Sequence, residues 1–315
     1  MATKNNIAWI TGASGFLGSH AVRLLGARDW QVVGVSRSPQ PSSSTATPAC
    51  KGWSDAGINE RSLLALLDQF GPPALVFHTA GAGSVGQAAE NPLQSFNDMV
   101  TTTAILCEIL RLHAPDATLL LASSAAVYGV REPVALKESD AAKPVSSYGW
   151  HKHMAEELCC QASALHGLRT IVIRYFSLYG PGLQKQIIWD ISRRMNAGEK
   201  SIELFGDGGE TRDFLFIDDA VNLALEAYEK APKLHSVFNG GSGTPATIAD
   251  LSQALAHTWD SNAVITFNGK IREGDPRHFL ACPAKAQTLG FRPKTDLNDG
   301  LAQVVAWSQH FSKME

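Results

Sequence analysis

The chain has 315 residues, with 27 Lys and Arg against 30 Asp and Glu for a net charge of −3. Hydrophobic residues make up 44% and charged residues 18%, an ordinary globular composition with material for one large domain or two unequal ones. This balance excludes a strongly basic nucleic-acid binder, and no apolar run approaches the ~18 residues of a membrane-spanning helix.

Short apolar runs alternate with amphipathic stretches through the first half, which predicts βαβ units and a parallel sheet. The expected fold is α/β, a Rossmann-type doubly wound parallel sheet with a smaller irregular C-terminal substrate region. Strands are expected over 7–10, 31–35, 49–53, 74–78, 118–122 and 170–175, and helices over 18–26, 61–69, 92–112 and 147–166. A polar Pro/Ser loop occupies 38–48. Beyond Gly180 the pattern breaks into shorter Gly- and Pro-rich pieces, so residues 1–180 are expected to form the dinucleotide domain and 181–315 mainly the substrate region. No signal-peptide layout precedes Ile7. Five cysteines without a C-x-x-C pair point to reduced thiols, a cytoplasmic protein and no metal site.

The first strand runs into Thr11-Gly12-Ala13-Ser14-Gly15-Phe16-Leu17-Gly18 and then a helical pattern. Its three glycines allow a tight turn and close approach of backbone to a pyrophosphate, and the helix N-terminus offers free N–H groups. Gly12, Ser14, Gly15, Phe16, Leu17 and Gly18 are therefore candidate cofactor residues. An NAD site usually has Asp or Glu at the end of the second strand, to accept from the ribose hydroxyls. Here that strand ends in Val35-Ser36-Arg37-Ser38, with no acid. Arg37 has the forked cation that suits a 2′-phosphate, with Ser36 or Ser38 as a hydroxyl donor, so the sequence favours NADP(H) over NAD. The plainer alternative leaves Arg37 as a solvated loop residue. Asp55, past the third strand, is placed either to accept from the adenine amino group or to serve a turn.

Tyr148 and Lys152 are four apart where a helix begins, which puts both on one face. An ammonium near the phenol favours the phenolate and is expected to draw the tyrosine pKa toward neutral, suiting proton exchange with an alcohol. Ser124, at the end of the fifth strand, lies where α/β sheets bind ligands and is placed to hold the same oxygen.

With these residues the sequence resembles the extended short-chain dehydrogenase/reductase family, in its nucleotide-sugar epimerase/dehydratase branch. The resemblance covers nearly the whole chain. It rests on TGASGFLG (11–18), HTAG (78–81), Asn97 before Thr101, SSAAVYG (123–129), YGWHK (148–152), RYFSLYGPG (174–182), RDFLFIDDA (212–220), FNGGSG (238–243), REGDPR (272–277) and LGFRP (289–293). It implies that Ser124 and Tyr148 contact the reacting hydroxyl or ketone, and that Lys152 orients the nicotinamide ribose. Thr79, Ala80, Gly81, Tyr175 and Ser177 would complete the cofactor cradle. Ser84 and Val85 would line the sugar pocket, with Arg212 and Arg272 clamping the substrate diphosphate. A homodimer through the apolar stripes of 92–112 and 147–166 is also implied.

Three departures narrow the chemistry. Ala125 and Ala126 stand where sugar dehydratases of this branch carry an acidic pair, so dehydration is not expected. The cysteine and histidine of 3,5-epimerising relatives are replaced by Ala125 and Gly182, and the acid of decarboxylating relatives is missing near Ala126. Hydride transfer at C4 of a nucleoside-diphosphate hexose remains. Arg37 tips the reading toward an NADPH-dependent 4-keto reductase, with a 4-epimerase carrying bound NAD as the alternative. A reductase of non-sugar carbonyls and a non-catalytic NADP-sensing protein stand further back. His78 is expected to be a hydrogen-bonded core residue, Asp218 and Asp219 to cap a helix near Ala220, and Trp150, Trp189 and Trp307 to pack.

Overall fold

The computed structural model describes residues 6–40, 50–131, 134–260, 262–270 and 277–311. In chain order its first half comprises β1 (Ile7–Thr11), α1 (Phe16–Gly26), β2 (Gln31–Val35), β3 (Gly52–Ser54), α2 (Glu60–Phe70), β4 (Leu75–His78), α3 (Val85–Glu90), α4 (Pro92–Phe96), α5 (Thr102–His113), β5 (Thr118–Ser124), α6 (Ser147–His166) and β6 (Arg169–Tyr175). The second half adds β7 (Ser177–Tyr179), α7 (Gln186–Asn196), β8 (Ser201–Leu204), β9 (Thr211–Phe216), α8 (Ile217–Lys230), β10 (His235–Gly240), β11 (Pro245–Thr247), α9 (Ile248–Thr258), β12 (Val264–Phe267), β13 (His278–Phe279), α10 (Ala284–Gln287) and α11 (Leu297–Phe311).

Side chains alternate across a strand, and here both sides of the sheet are apolar. Ala8, Ile10, Leu75, Phe77, Leu120, Ile171 and Ile173 enter one core with α1 and α8. Trp9, Val33, Val76, Leu119, Leu121 and Val172 enter the other with α2, α5 and α6. Burying each large side chain contributes about 1.5–3 kcal/mol. Strands apolar on both faces must be covered on both, which is the parallel, doubly wound solution. The seven parallel strands run in the order β10-β6-β5-β4-β1-β2-β3.

The third strand begins later than expected, at Gly52, and residue 49 lies outside the described residues, as do 41–48 of the polar loop. The helix expected over 92–112 is broken. Between α4 and α5 the five residues Asn97–Thr101 form a π turn, which adds a residue to the coil and re-aims the side chains around it. Hydroxyls brace the turn, since Thr102 Oγ1 donates to Asp98 O (2.8 Å) and Thr103 Oγ1 to Met99 O (2.6 Å).

Beyond Gly180 the chain is more regular than expected. Helices α7, α9 and α11 enclose a third core with β8 and β9, including Ile188, Ile191, Leu204, Leu251 and Leu301. Asp218 and Asp219 do not cap α8, whose N-cap is Phe216. Asp218 instead pairs with His20 and Arg23 of α1, and Asp219 accepts from the Lys294 and Thr295 N–H groups. Both therefore tie α8 to its neighbours.

Candidate active site

The helices after β1 and β4 leave toward opposite faces of the sheet, since α1 joins one core and α5 the other. A crevice opens between such strands at their carboxyl ends. A cavity of about 240 Å3 occupies it. Its walls are Gly12, Ser14 and Gly15 from the first turn, Val35–Ser38 after β2, Gly57 and Ile58 after β3, Thr79–Gly81 after β4, and Asp98 with Thr102 from the π turn and α5.

The donor set fits a dinucleotide. Gly15, the N-cap of α1, contributes no side chain, so the first-turn amides stay open to an anion. Gly12 has φ +68°, and a Cβ there would come within 2.8 Å of Ala80 N, so only glycine keeps these walls together. Ser14 and Ser36 hydroxyls are hydrogen-bonded at 2.7 Å across the mouth, and Thr79 Oγ1 donates to Thr11 O at 2.7 Å.

The catalytic candidates Ser124, Tyr148 and Lys152 do not line this cavity; they gather where the start of α6 meets the end of β5. Ser146 caps α6 by accepting from Gly149 N (3.1 Å). Gly149 in turn lets α6 press on the 3-10 turn Ala125–Tyr128, for an added Cβ would stand 2.6 Å from Ala126 O. That close approach sets Tyr148 near Ser124, whose hydroxyl favours the phenolate. Lys152 Nζ donates to Ala122 O at 2.7 Å and lies 5.9 Å from the Tyr148 ring centre. It also reaches the cavity wall at Gly81, 3.6 Å from where a Cβ on Gly81 would be.

Burial decides the electrostatics. It pushes the Tyr148 hydroxyl above its ordinary pKa, and the Ser124 hydroxyl only opposes this. The expected pull of Lys152 toward neutrality is not seen, because the ammonium is turned onto Ala122 O. Burial likewise lowers Lys152 to about 8, with Glu156 acting in the other direction. His78 is a core residue as expected. Its Nδ1 meets Thr11 Oγ1 at 2.7 Å, and burial lowers it to about 3.

Several expected residues lie elsewhere. Phe16 and Leu17 direct their side chains away from the cavity, leaving only their first-turn amides toward it. Both pack into the third core, and Gly18 gives α1 room against Gly12 O, which an added Cβ would approach to 2.1 Å. Asp55 is exposed, and Gly57 and Ile58 take its place along the wall. Tyr175 is sealed in the core, its hydroxyl donating to Ala220 O at 3.0 Å. Ser177 pairs with Phe214 in the smaller sheet and lines no part of the cavity. Ser84 caps α3 by accepting from Gln87 N (3.2 Å), and Val85 is exposed beside it. Arg212, on β9, donates to Thr211 O at 2.9 Å. Arg272 lies outside the described residues. Trp189 packs on Trp307 with ring centres 5.5 Å apart.

Sequence reasoning missed Gly57, Ile58, Asp98 and Thr102 as wall residues, and Lys185, whose Nζ reaches Gly83 O (2.5 Å) from the C-terminal half. No motif marks them, because each arrives through a tertiary contact. Arg37 is the main correction. Its side chain stays 70% exposed, and its Nη1 donates to Asp98 Oδ1 at 3.0 Å, so an acid stands against the cation that the sequence read as a phosphate ligand.

The comparisons with known proteins bear on the same residues. The putative UDP-glucose 4-epimerase of Methanocaldococcus jannaschii is 27% identical over 305 residues, covering 96% of this chain and 98% of that protein. The UDP-glucose 4-epimerase of Thermotoga maritima, solved with UDP-glucose, superposes with a TM-score of 0.87 at 26% identity, over 98% of this chain and 100% of that one. The UDP-glucuronic acid 4-epimerase of Bacillus cereus, solved with UDP-glucuronic acid and NAD, gives 0.86 at 26% identity, over 97% and 99%. A sequence model of the NAD dependent epimerase/dehydratase family matches residues 8–241. That match runs through the glycine turn, the serine strand and the tyrosine helix alike, and the chain accordingly belongs to the NAD dependent epimerase/dehydratase family.

Proposed function

We propose that the protein is an NAD-dependent 4-epimerase of a UDP-hexose, in place of the NADPH-consuming 4-keto reductase that Arg37 favours in the sequence. The observation that carries this reading is the match of nearly the whole chain to UDP-sugar 4-epimerases, and the acid Asp98 standing against Arg37 in the cavity wall agrees with it. One of those relatives is solved with NAD.

NAD, when bound, supplies a reversible hydride acceptor. The chain's own groups manage the proton. Ser124 holds the C4 oxygen by hydrogen bond, and Tyr148 Oη takes the hydroxyl proton and later returns it. The raised pKa of Tyr148 makes the phenol its resting form, so ionisation needs positive charge beside it, which the Lys152 ammonium brings only on turning from Ala122 O toward the ring 5.9 Å away. The first turn and Thr79–Gly81 hold the cofactor in the crevice. Ala125 and Ala126 offer no acid to move a C5 proton, which keeps the chemistry at C4.

Denaturing the purified protein and weighing the released nucleotide is expected to give stoichiometric NAD. The native protein should interconvert a UDP-hexose and its C4 epimer with no added cofactor. Tyr148→Phe should keep the nucleotide and lose about 100- to 10,000-fold in rate. An empty protein that turns over a 4-keto sugar only with NADPH would overturn the reading.

A further inference from the structure

We propose that Asp98 selects NAD over NADP, supplying from the π turn the acid that is missing at the end of β2. This rests on the epimerase reading above and adds to it the residue responsible for cofactor choice.

The end of β2 cannot do this work itself. Ser36 Oγ is engaged with Ser14 Oγ at 2.7 Å and accepts from Ser38 N at 3.1 Å. Arg37 points the wrong charge at a ribose hydroxyl. Asp98 stands in the same cavity wall beside Arg37 and Thr102, with only 19% of its side chain exposed. It gets there because the π turn adds a residue and shifts the side chains by about 100° relative to an unbroken helix. Thr102 Oγ1 fixes the turn by donating to the Asp98 carbonyl.

The carboxylate is also oriented. Arg37 Nη1 (3.0 Å) and Gln94 Nε2 (2.8 Å) both donate to Oδ1, leaving Oδ2, among the described residues, to accept from a ribose hydroxyl. A 2′-phosphate meets the opposite situation. It brings a charge of about −1.5 to −2 against a carboxylate, and to bind it Arg37 must abandon Asp98. A like charge left beside the phosphate disfavours the complex. Arg37, read alone as a phosphate ligand, thus becomes the group that holds the selecting acid in place.

The test is calorimetric titration of cofactor-stripped protein with NAD+ and NADP+, which needs no sugar and no turnover. For Asp98→Asn we expect NAD+ binding to weaken about 3- to 10-fold and NADP+ binding to tighten at least tenfold, since Arg37 is freed. Adding Arg37→Ala to that variant should remove the NADP+ gain. An affinity ratio for Asp98→Asn within threefold of the parent's would overturn the proposal. Should Asp98→Asn fail to fold, Arg37→Ala alone decides. An NADP+ affinity within threefold of the parent's supports the proposal, and a tenfold loss overturns it by showing that Arg37 already serves the phosphate. Failure of the sugar interconversion assay would strike the epimerase reading and leave these titrations standing.

Discussion

Lys152 shows how a single side chain balances stability against chemistry. It is 6% exposed, and burial lowers its pKa from 10.5 to about 8. A cation with a folded pKa below its unfolded one destabilises the fold at every pH under the folded value. The penalty is relieved as pH rises from about 8 toward 10.5, because the unfolded chain then binds the extra proton. In Lys152→Met the penalty is absent at all pH values. Chemical denaturation of both proteins between pH 7 and 10.5 should show the parent gaining on the variant by up to about 3 kcal/mol. A difference independent of pH would mean that Lys152 is not strained by burial. The hydrogen bond to Ala122 O offsets part of the penalty at neutral pH, so the pH trend, more than the absolute difference, carries the test.

Among elements, the register of α6 against β5 and β6 rests on a buried ion pair. Glu156 of α6 accepts from Arg174 Nη2 at 2.7 Å and from Ser123 Oγ, next to Ser124. The Arg174 guanidinium also lies 4.8 Å from the Tyr128 ring centre, and Tyr128 donates to Asn239 Oδ1 at 2.7 Å. Side chains of Glu156 and Arg174 are only 5% and 8% exposed, so removing one partner strands a charge in the interior. Arg174→Met should cost about 3–5 kcal/mol in urea unfolding, and Arg174→Met with Glu156→Leu less than the sum of the two. Strict additivity would show the charges to be uncoupled.

These elements also mark where sequence reasoning works. The strand over 31–35 and the helix over 147–166 were legible to the residue, because a continuous apolar run matches a strand buried throughout Val32–Val35 and the buried positions of α6 recur at helical spacing. The π turn was not, since the helical pattern continues through 92–112 and only tertiary packing breaks the coil. Ser124, Tyr148 and Lys152 were legible from spacing, and the glycines from the turn they make. Asp98 was hidden because its pairing with Arg37 spans 61 residues and no local pattern announces it. Tyr175, assigned to the cofactor cradle only by the family resemblance, has its hydroxyl satisfied inside the core.

At the scale of the whole molecule, apolar side chains remain outside the three cores. Leu93 and Phe96 on α4 are 74% and 37% exposed, and Trp150 and Met154 on α6, the helix α4 packs against, are 49% and 39%. No described helix is long and apolar enough to cross a membrane. This face is the one through which the family resemblance implies a homodimer. Sedimentation equilibrium should give a dimer, and Leu93→Glu with Trp150→Glu a monomer; a monomeric parent would refute the pairing.

The main sheet closes late in the chain. Its edge strand β10 pairs with β6 along six residues, His235 to Gly240 against Thr170 to Tyr175, after β7 to β9 and α7 and α8 have been built elsewhere. A nascent chain that has emerged only through β6 presents a row of unpaired N–H and C=O groups beside Ile171 and Ile173, and α8, which covers that face, does not yet exist. Such an edge is a template for pairing with another chain. Synthesis through Gly240 is therefore the stage at which this protein is most exposed to aggregation, and the stage at which a chaperone has the most to protect.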